Sequence, residues 1–396
     1  MKNVLLFTHN LNNGGAEKVV RTIAEYINAS DCGWTAWICV VYDDPALRRK
    51  LHNVIVMRHK SAKADSKMHK ALNVIRQISE MKKIKKEHNI DVCISFLPGA
   101  DIINVLSGMG EKKIVSVRSI ESKFTHSIWK KIYVKLSYAL CDKIVAVSGT
   151  VRQDCISYFR VSQSKIMTIY NPANDNMPTG LCVDAFSDFS TDKFVCISVG
   201  RLDPAKGHAH LIRAFRKVVD QIPNAGLVVI GEGDLLNTLK GMVREFHLEE
   251  NVLMLGYCAN PCDYMKRTDL FVYPSNIDGM SNVVIEAMQC SLPVVSTDCG
   301  GPSEILAPEK EIGEAVKKAT FYSNGMLLPV CGNDIYDTSQ LTKEEEQMAL
   351  GIIEFIKNDD KRRGYSNNAK KSIEKLDLSV IGNDWISVIN EITKAE

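Results

Sequence analysis

Short apolar runs rich in Val and Ile alternate along this chain with longer stretches in which apolar residues recur every three or four positions. Runs of the first kind lie at Val4–His9, Ala36–Tyr42, Asn53–Arg58, Asp91–Phe96, Lys113–Arg118 and Asp142–Ser148. They are nearly continuous in apolar character, which predicts strands buried on both faces. Helical patterns lie between most of them, at Ala16–Ile27, Ser66–His88, Ile128–Leu140 and Val151–Phe159. This alternation predicts a parallel sheet covered by helices on both sides.

The segment Asn171–Asp192 breaks the pattern with Asn, Asp, Pro and Ser. The alternation then resumes. Strands are predicted at Lys193–Gly200, Gly226–Gly231, Asn251–Gly256, Asp269–Pro274 and Pro293–Asp298. Helices are predicted at His208–Gln221, Asp234–Phe246, Pro261–Arg267, Ser281–Cys290 and Glu344–Ile356. The expected architecture is α/β: two doubly wound, Rossmann-like domains over 1–175 and 176–377, facing each other across a cleft. A C-terminal helix over 378–396 has the option of packing back on the first domain. Ligands in such folds sit beyond the carboxyl ends of the strands, so the cleft is the expected site.

Composition narrows the function classes. The chain has 396 residues, 45% hydrophobic and 24% charged, as an ordinary globular protein of two or three domains does. A net charge of +2 gives no global basic excess for nucleic acid. The 12 cysteines form no disulfide framework, and the nearest metal-like spacing, Cys258-x-x-x-Cys262, has no second pair. They read as mostly buried thiols of a cytoplasmic chain. The start, MKNVLLFTHNLNNGG, is too short in apolar core for a signal peptide and reads as a first strand. No window reaches 18 uncharged apolar residues.

One region departs from the charge balance. Between Lys60 and Glu87 lie nine basic residues, Lys60, Lys63, Lys67, Lys70, Arg76, Lys82, Lys83, Lys85 and Lys86, against Asp65, Glu80 and Glu87. Further on, Phe124, Trp129, Tyr133 and Tyr138 interleave with Lys130, Lys131 and Lys135. Two readings stand. One is a solvated helix face with the aromatics in the core. The other is a surface resting on anionic lipid, each near-surface basic residue adding about 1 kcal/mol.

Four stretches carry candidate chemistry. In THNLNNGGAEKVV a strand runs through Gly14 and Gly15 into a helix, whose N-terminal amides suit an anion. Taken alone, the stretch is better explained as a plain strand-to-helix turn. In SVGRLDPAKGHAHL, Arg201 and Lys206 follow a strand end at Gly200, where two cations suit a diphosphate. Gly231-x-Gly233 lacks the third glycine of a dinucleotide site and reads as a structural turn. In SNIDGMSNVVIEAMQC, Asp278 precedes a helix and Glu286 lies within it. Amides of Gly279, Met280, Ser281, Asn282 and Val283 would face a phosphate or a sugar, and the two acids would take hydroxyls. The plainer alternative makes Asp278 an N-cap and Glu286 a solvated acid. Glu286 sits among Val283, Val284, Ile285, Ala287 and Met288, however, where a carboxylate is partly buried and needs a partner.

Together, Gly14-Gly15-Ala16-Glu17, Gly200-Arg201-Leu202-x-x-x-Lys206-Gly207 and Asp278-x(7)-Glu286 resemble the retaining glycosyltransferases of family four, which have the GT-B fold. The phrases YNPAN, AVSGTVRQD, DLFVYPS and IEAMQCSLPVVSTDCGGPSEIL are similar to that family as well. The resemblance spans nearly the whole chain and is densest from Val199 to Leu306.

It implies that Arg201 and Lys206 hold a donor diphosphate, that Glu286 binds the donor ribose, and that Asp278 positions the donor sugar. Gly279 to Val283 would offer amides, and Gly14 and Gly15 would close on the phosphates. Glu17 and Arg118 would lie on the acceptor side. Asp278 stands where the family usually has glutamate, one methylene longer. Arg118 ends the strand where relatives carry a histidine, and nearby His126 is poorly spaced to replace it.

The implied activity is transfer of a hexose or N-acetylhexosamine, with retention and without a metal or other cofactor. The donor would be a nucleotide sugar, UDP-linked by expectation. The acceptor would be a saccharide, polyprenyl-linked by expectation, in bacterial surface polysaccharide synthesis. Nucleic acid is not an expected partner. The expected location is cytoplasmic, with a peripheral seat on the inner face of the plasma membrane as an option. A sugar-nucleotide epimerase of the same fold and a non-catalytic nucleotide-sugar-binding homologue are the alternatives.

Overall fold

The computed structural model describes residues 2–11, 14–49, 51–60, 66–125, 127–173, 184–332 and 340–394. Lys63, Asp65 and His126, and residues 174–183 within the 171–192 segment, lie outside the described residues. The chain divides into two compact units. Unit 1 comprises 1–172 with 378–396, and unit 2 comprises 173–377.

Unit 1 holds seven parallel strands: β1 (Lys2–Thr8), β2 (Trp34–Val40), β3 (Val54–Val56), β4 (Ile90–Phe96), β5 (Lys112–Val117), β6 (Lys143–Ala146) and β7 (Ile166–Thr168). Their helices are α1 (Gly15–Ala29), α2 (Pro45–Arg48), α3 (Lys67–Glu87), α4 (Pro98–Leu106), α5 (Ile128–Leu140) and α6 (Gly149–Ser157). The spatial order is β3-β2-β1-β4-β5-β6-β7. The chain winds outward from β1 to β3, then restarts on the other side of β1 with β4. Loops after β1 and β4 therefore part in opposite directions, and the gap between them is the sheet's natural ligand position.

Unit 2 repeats the plan. Its strands are β8 (Phe194–Val199), β9 (Ala225–Ile230), β10 (Val252–Gly256), β11 (Leu270–Tyr273), β12 (Val294–Thr297), β13 (Thr320–Phe321) and β14 (Met326–Leu328). Their order is β10-β9-β8-β11-β12-β14-β13, with only β13 antiparallel. The reversal falls between β8 and β11. Its helices are α7 (Asp184–Ser190), α8 (His208–Gln221), α9 (Leu236–Glu245), α10 (Cys262–Met265), α11 (Asn282–Gln289), α12 (Gly301–Leu306), α13 (Lys343–Lys357) and α14 (Asp359–Ser372). The last helix, α15 (Leu378–Lys394), belongs to unit 1. Its fully buried Trp385 lies 6.0 Å from the Phe96 ring, centroid to centroid. Asn390 accepts from Trp34 Nε1 at 2.9 Å.

Every strand expected from the pattern is present, within a few residues at each end. α4 was not expected. Its sequence PGADIINVL is apolar on too many faces to show a helical period, and its start is set by Pro98 at the first turn. Lys85 corrects the basic-surface reading. It is buried, with Nζ 2.6 Å from Glu111 Oε1 and 3.0 Å from Asn104 Oδ1, so it belongs to the core rather than to a charged face. The aromatics of the α5 region divide. Tyr138 is buried as expected of a core residue, whereas Trp129 is 76% exposed and Phe124 is exposed as well.

α8 and α13 are joined by a buried ionic cluster. Glu345 Oε1 accepts from Arg213 Nε at 2.8 Å and lies 2.8 Å from His210 Nδ1, and Oε2 accepts from the Thr342 amide at 2.8 Å. Burial pushes the Glu345 carboxyl up, but these hydrogen bonds outweigh it and hold it below the ordinary 4.5. Its contribution to stability is therefore complete above that ordinary value and is lost as pH falls through the depressed one. Glu345→Ala strands Arg213 in the core and should cost unit 2 about 3–5 kcal/mol in chemical denaturation. Glu345→Gln should flatten the acid limb of the melting temperature below pH 4.5, while an unchanged limb would deny the carboxylate its role.

Candidate functional site

Unit 2 gathers its candidate residues where β8 and β11 part. β8 ends at Val199, and the chain turns through Arg201 to a short 3-10 turn, Pro204–Lys206. Asp203 caps that turn, accepting from the Lys206 amide at 3.2 Å. Gly207 follows at φ +67°, and a Cβ there would lie 2.0 Å from the Pro274 carbonyl oxygen. Only glycine tolerates both the backbone angle and the contact. The loop after β8 is thus pressed against the loop after β11. Ala205 O reinforces this by accepting from the Asn276 amide at 2.7 Å and from Ser275 Oγ at 3.1 Å.

This stitching brings Lys206 to Asp278. Lys206 Nζ is 2.6 Å from Asp278 Oδ2 and 2.8 Å from the Tyr273 hydroxyl, which itself hydrogen-bonds Asp278 Oδ2. Burial works against the Lys206 ammonium, but Tyr273 and Asp278 outweigh it and raise its pKa. Burial and Asp278 push the Tyr273 phenol up. Lys206 is therefore a fixed cation across the physiological range. His208, at the start of α8, is also buried and has no hydrogen-bond partner at either ring nitrogen. Burial and the Lys206 charge lower its pKa to about 4, so the ring is neutral.

Asp278 organises the next segment. Its Oδ1 accepts from the Met280 amide at 3.1 Å, its own amide donates to Cys299 O at 2.8 Å, and Gly301 N donates to its carbonyl at 3.2 Å. The Gly300-Gly301 turn is now accounted for: a Cβ on Gly301 would sit 2.0 Å from the Gly279 carbonyl oxygen. The N-cap of α11 is Ser281, so Asp278 is not the capping residue. Glu286 is buried within α11, as its apolar neighbours require.

One expectation is corrected here, and one residue is placed apart. The Met280 amide is taken by Asp278 and does not point away as an open donor. Arg201 does not join Lys206. Its side chain is 78% exposed, and its ion pair is with Asp203, 3.3 Å away. The Gly231-x-Gly233 turn is structural: Glu232 O accepts from the Leu202 amide at 2.9 Å, and Leu202 O accepts from Leu235 at 3.0 Å.

Unit 1 shows a second constellation where β1 and β4 part. Gly14 caps α1 with extended backbone, Gly15 begins the helix, and the Glu17 carboxylate folds back over Gly14. His9 lies against Gly99, just past β4, and burial lowers its pKa. Leu97 takes φ +79°, a costly angle for a leucine, at the same switch point. Arg118, past the end of β5, hydrogen-bonds Asn171 Oδ1 and lies 5.9 Å from the Phe96 ring centroid. Its Nη1 has no partner, and burial, partly opposed by Glu17, lowers its pKa to about 10. Two buried acids lie nearby in the sequence: Asp101 in the first turn of α4 and Glu121, whose carboxyls burial pushes up.

Tyr273, His208, His9 and Leu97 are the residues that sequence reading missed. Tyr273 and His9 had a signal, since each lies at the C-terminal end of a predicted strand beside the switch point. His208 and Leu97 had none, because burial without a partner and a positive φ cannot be read from residue type. Among the described residues, no group of three or more His, Cys, Asp or Glu converges as metal ligands.

Residues 13–176 match the family Glycosyltransferase Family 4, and residues 184–321 match Glycosyl transferases group 1. The chain is 30% identical over 332 residues to an uncharacterized glycosyltransferase of Methanocaldococcus jannaschii, covering 80% of this chain and 81% of the relative. It is 28% identical to the N-acetylgalactosamine-N,N'-diacetylbacillosaminyl-diphospho-undecaprenol 4-alpha-N-acetylgalactosaminyltransferase of Campylobacter jejuni, covering 98% of this chain and all of the relative. Its fold superposes on the crystal structure of Anabaena HepE in complex with UDP and glucose, with a TM-score of 0.77 at 19% identity, over 99% of this chain and 100% of that one. Sucrose-phosphate synthase from Thermosynechococcus elongatus gives the same TM-score at 15% identity, over the full length of both chains. The chain belongs to the family-four glycosyltransferases and has their GT-B fold, and it is a hexosyltransferase.

Proposed function

We propose that the chain transfers a hexose or N-acetylhexosamine from a UDP-linked donor to a lipid-linked saccharide, with retention, in bacterial surface polysaccharide synthesis. The observation that carries this reading is the Lys206–Asp278–Tyr273 group at the switch point of unit 2. Cleaving a sugar–phosphate bond builds negative charge on the diphosphate and positive charge on the anomeric carbon. A fixed, partly desolvated ammonium meets the first, and preorganised charge of this kind is worth about 10²–10³ in rate. This requires no metal. Arg201, exposed and ion-paired with Asp203, would swing toward the same phosphates.

Glu286 would take the donor ribose, and Asp278 would position the sugar. The amides at the start of α11, from Gly279 and Ser281 to Val283, would meet oxygens of the donor. By the family resemblance Gly14 and Gly15 would meet phosphate, and Glu17 and Arg118 would serve the acceptor. The UDP in the Anabaena structure supports the donor class, and the undecaprenol-diphosphate named for the Campylobacter relative supports the acceptor class.

A peripheral seat on anionic membrane has support from α5. Ile128, Trp129, Ile132, Leu136 and Leu140 are all exposed along it, beside Lys130, Lys131 and Lys135. α3 exposes Met68, Leu72 and Ile75. No helix among the described residues is long and apolar enough to cross a membrane. An in-plane seat, with lysines at the headgroups and apolar residues beneath, suits this pattern.

Three outcomes test the proposal. In a thermal-shift panel of UDP-, GDP- and ADP-linked hexoses, the donor stabilises by about RT ln(1 + [L]/Kd), roughly 2.7 kcal/mol at 100 Kd. With radiolabelled donor and lipid extract, Lys206→Ala should lower turnover about 10²–10³-fold; near-wild-type turnover would remove Lys206 from the mechanism. Label that isomerises without transfer would favour an epimerase instead. Trp129→Ser with Ile132→Ser should weaken co-sedimentation with vesicles containing phosphatidylglycerol by about tenfold or more. Equal binding by the variant and the parent would move the membrane contact elsewhere.

A further inference from the structure

At the C-terminal end of α11, remote in sequence from the Lys206 loop, unit 2 contains a cavity of about 300 Å³. Lys266, Lys370, Gln289, Cys290, Glu374 and Asp377 line it. Cys290 is the C-cap of α11, and its amide donates to the Glu286 carbonyl at 3.0 Å. Its Sγ donates to the Cys262 carbonyl oxygen at 3.8 Å, which sets the two cysteines side by side. Cys262, on α10, is buried, while Cys290 is half-buried and opens on the cavity.

The surroundings set the reactivity of these thiols. The Cys262 side chain comes first, then Lys266 and Lys370 against the opposing effect of burial and Glu286. Together they hold the Cys290 thiol below the ordinary 9.0. The helix C-terminus works in the other direction. By contrast, burial raises the thiols of Cys93, Cys141, Cys155, Cys299 and Cys331 to about 12. Two lysines on the cavity wall suit carboxylates, and Glu374 and Asp377 suit an ammonium group. A small disulfide bearing both groups fits that chemistry.

We propose that Cys290 and Cys262 form a thiol-exchange pair, and that the cavity seats an acidic, amino-acid-bearing low-molecular-weight disulfide. The Cys290 thiolate attacks one sulfur of R–S–S–R, forming Cys290–S–S–R and releasing R–S⁻. The Cys262 thiol then displaces the second R–S⁻, which takes the Cys262 proton and leaves as R–SH. The two protein thiols lose two electrons to give one Cys262–Cys290 disulfide, and R–S–S–R is reduced to two thiols. That disulfide ties α10 to the end of the helix carrying Glu286. Its consequence for donor binding rests on the glycosyltransferase reading of Glu286, but the thiol chemistry does not.

The test uses the full chain with oxidised glutathione and peptide mapping by mass spectrometry. Cys290 should react about tenfold or more faster than Cys32 and Cys258, the half-buried thiols of the same chain that serve as internal references. Wild type should end as the Cys262–Cys290 disulfide, whereas Cys262→Ser should stop at the glutathionyl adduct on Cys290. Lys266→Gln with Lys370→Gln should slow exchange with oxidised glutathione but not with neutral 2-hydroxyethyl disulfide. Equal or slower reaction at Cys290, or an adduct that persists in wild type, would overturn the proposal. UDP affinity, measured on the oxidised chain, should fall and recover on reduction. Unchanged affinity would overturn the link to Glu286 and leave the mass result to decide the exchange chemistry alone.

Discussion

An ammonium taken out of water must be met by opposite charge, and in unit 2 that requirement falls on Lys206. Asp278 Oδ2 at 2.6 Å and the Tyr273 hydroxyl at 2.8 Å meet it. Much else follows from keeping these three side chains together. Gly207 has to be glycine so that the loop after β8 can approach Pro274. Gly301 has to lack a side chain so that the segment after Asp278 can settle against the turn that follows β12. Desolvating a charge without such partners would cost several kcal/mol, so the loops and the ion pair stand or fall together.

The sheet decides where this happens. A parallel sheet buried on both faces leaves only its strand ends available for chemistry, and the carboxyl ends at the winding reversal leave room for a ligand. Both units obey this. In unit 2 the reversal lies between β8 and β11, whose following loops carry Lys206 and Asp278. In unit 1 it lies between β1 and β4, followed by His9, Gly14 and the strained Leu97. The repeated topology explains why two unrelated sets of residues occupy the same place in their own sheets.

Much of this was legible in the sequence because burial on both faces leaves a plain signature of continuous Val and Ile. The strands, the parallel winding and the placement of Lys206 and Asp278 at strand ends all came from that signature. Direct contact between those two did not, because a lysine and an aspartate 72 positions apart reveal nothing of their distance. Arg201 and Lys206 were read together as two cations at one strand end, but their partners in the fold, Asp203 for the first and Asp278 with Tyr273 for the second, could not be read from the sequence. Lys85 looked like one more surface lysine until its helix face proved to point at Glu111 and Asn104. Periodicity assigns a residue to an element, but the partner across the core belongs to tertiary packing.

The aspartate at position 278 gains meaning from the same geometry. A carboxylate offers roughly four acceptor positions. Lys206 and Tyr273 occupy Oδ2, and the Met280 amide occupies one position at Oδ1. Among the described residues these contacts leave one position on Oδ1, enough for a single hydroxyl donor. A glutamate would reach one methylene further and would have to give up either the Met280 amide or the short contact with Lys206. The shorter acid thus exchanges reach for rigidity. It fixes the cation and the start of α11 in one arrangement, and under the proposed role of Asp278 the remaining acceptor would meet a single donor hydroxyl in one direction.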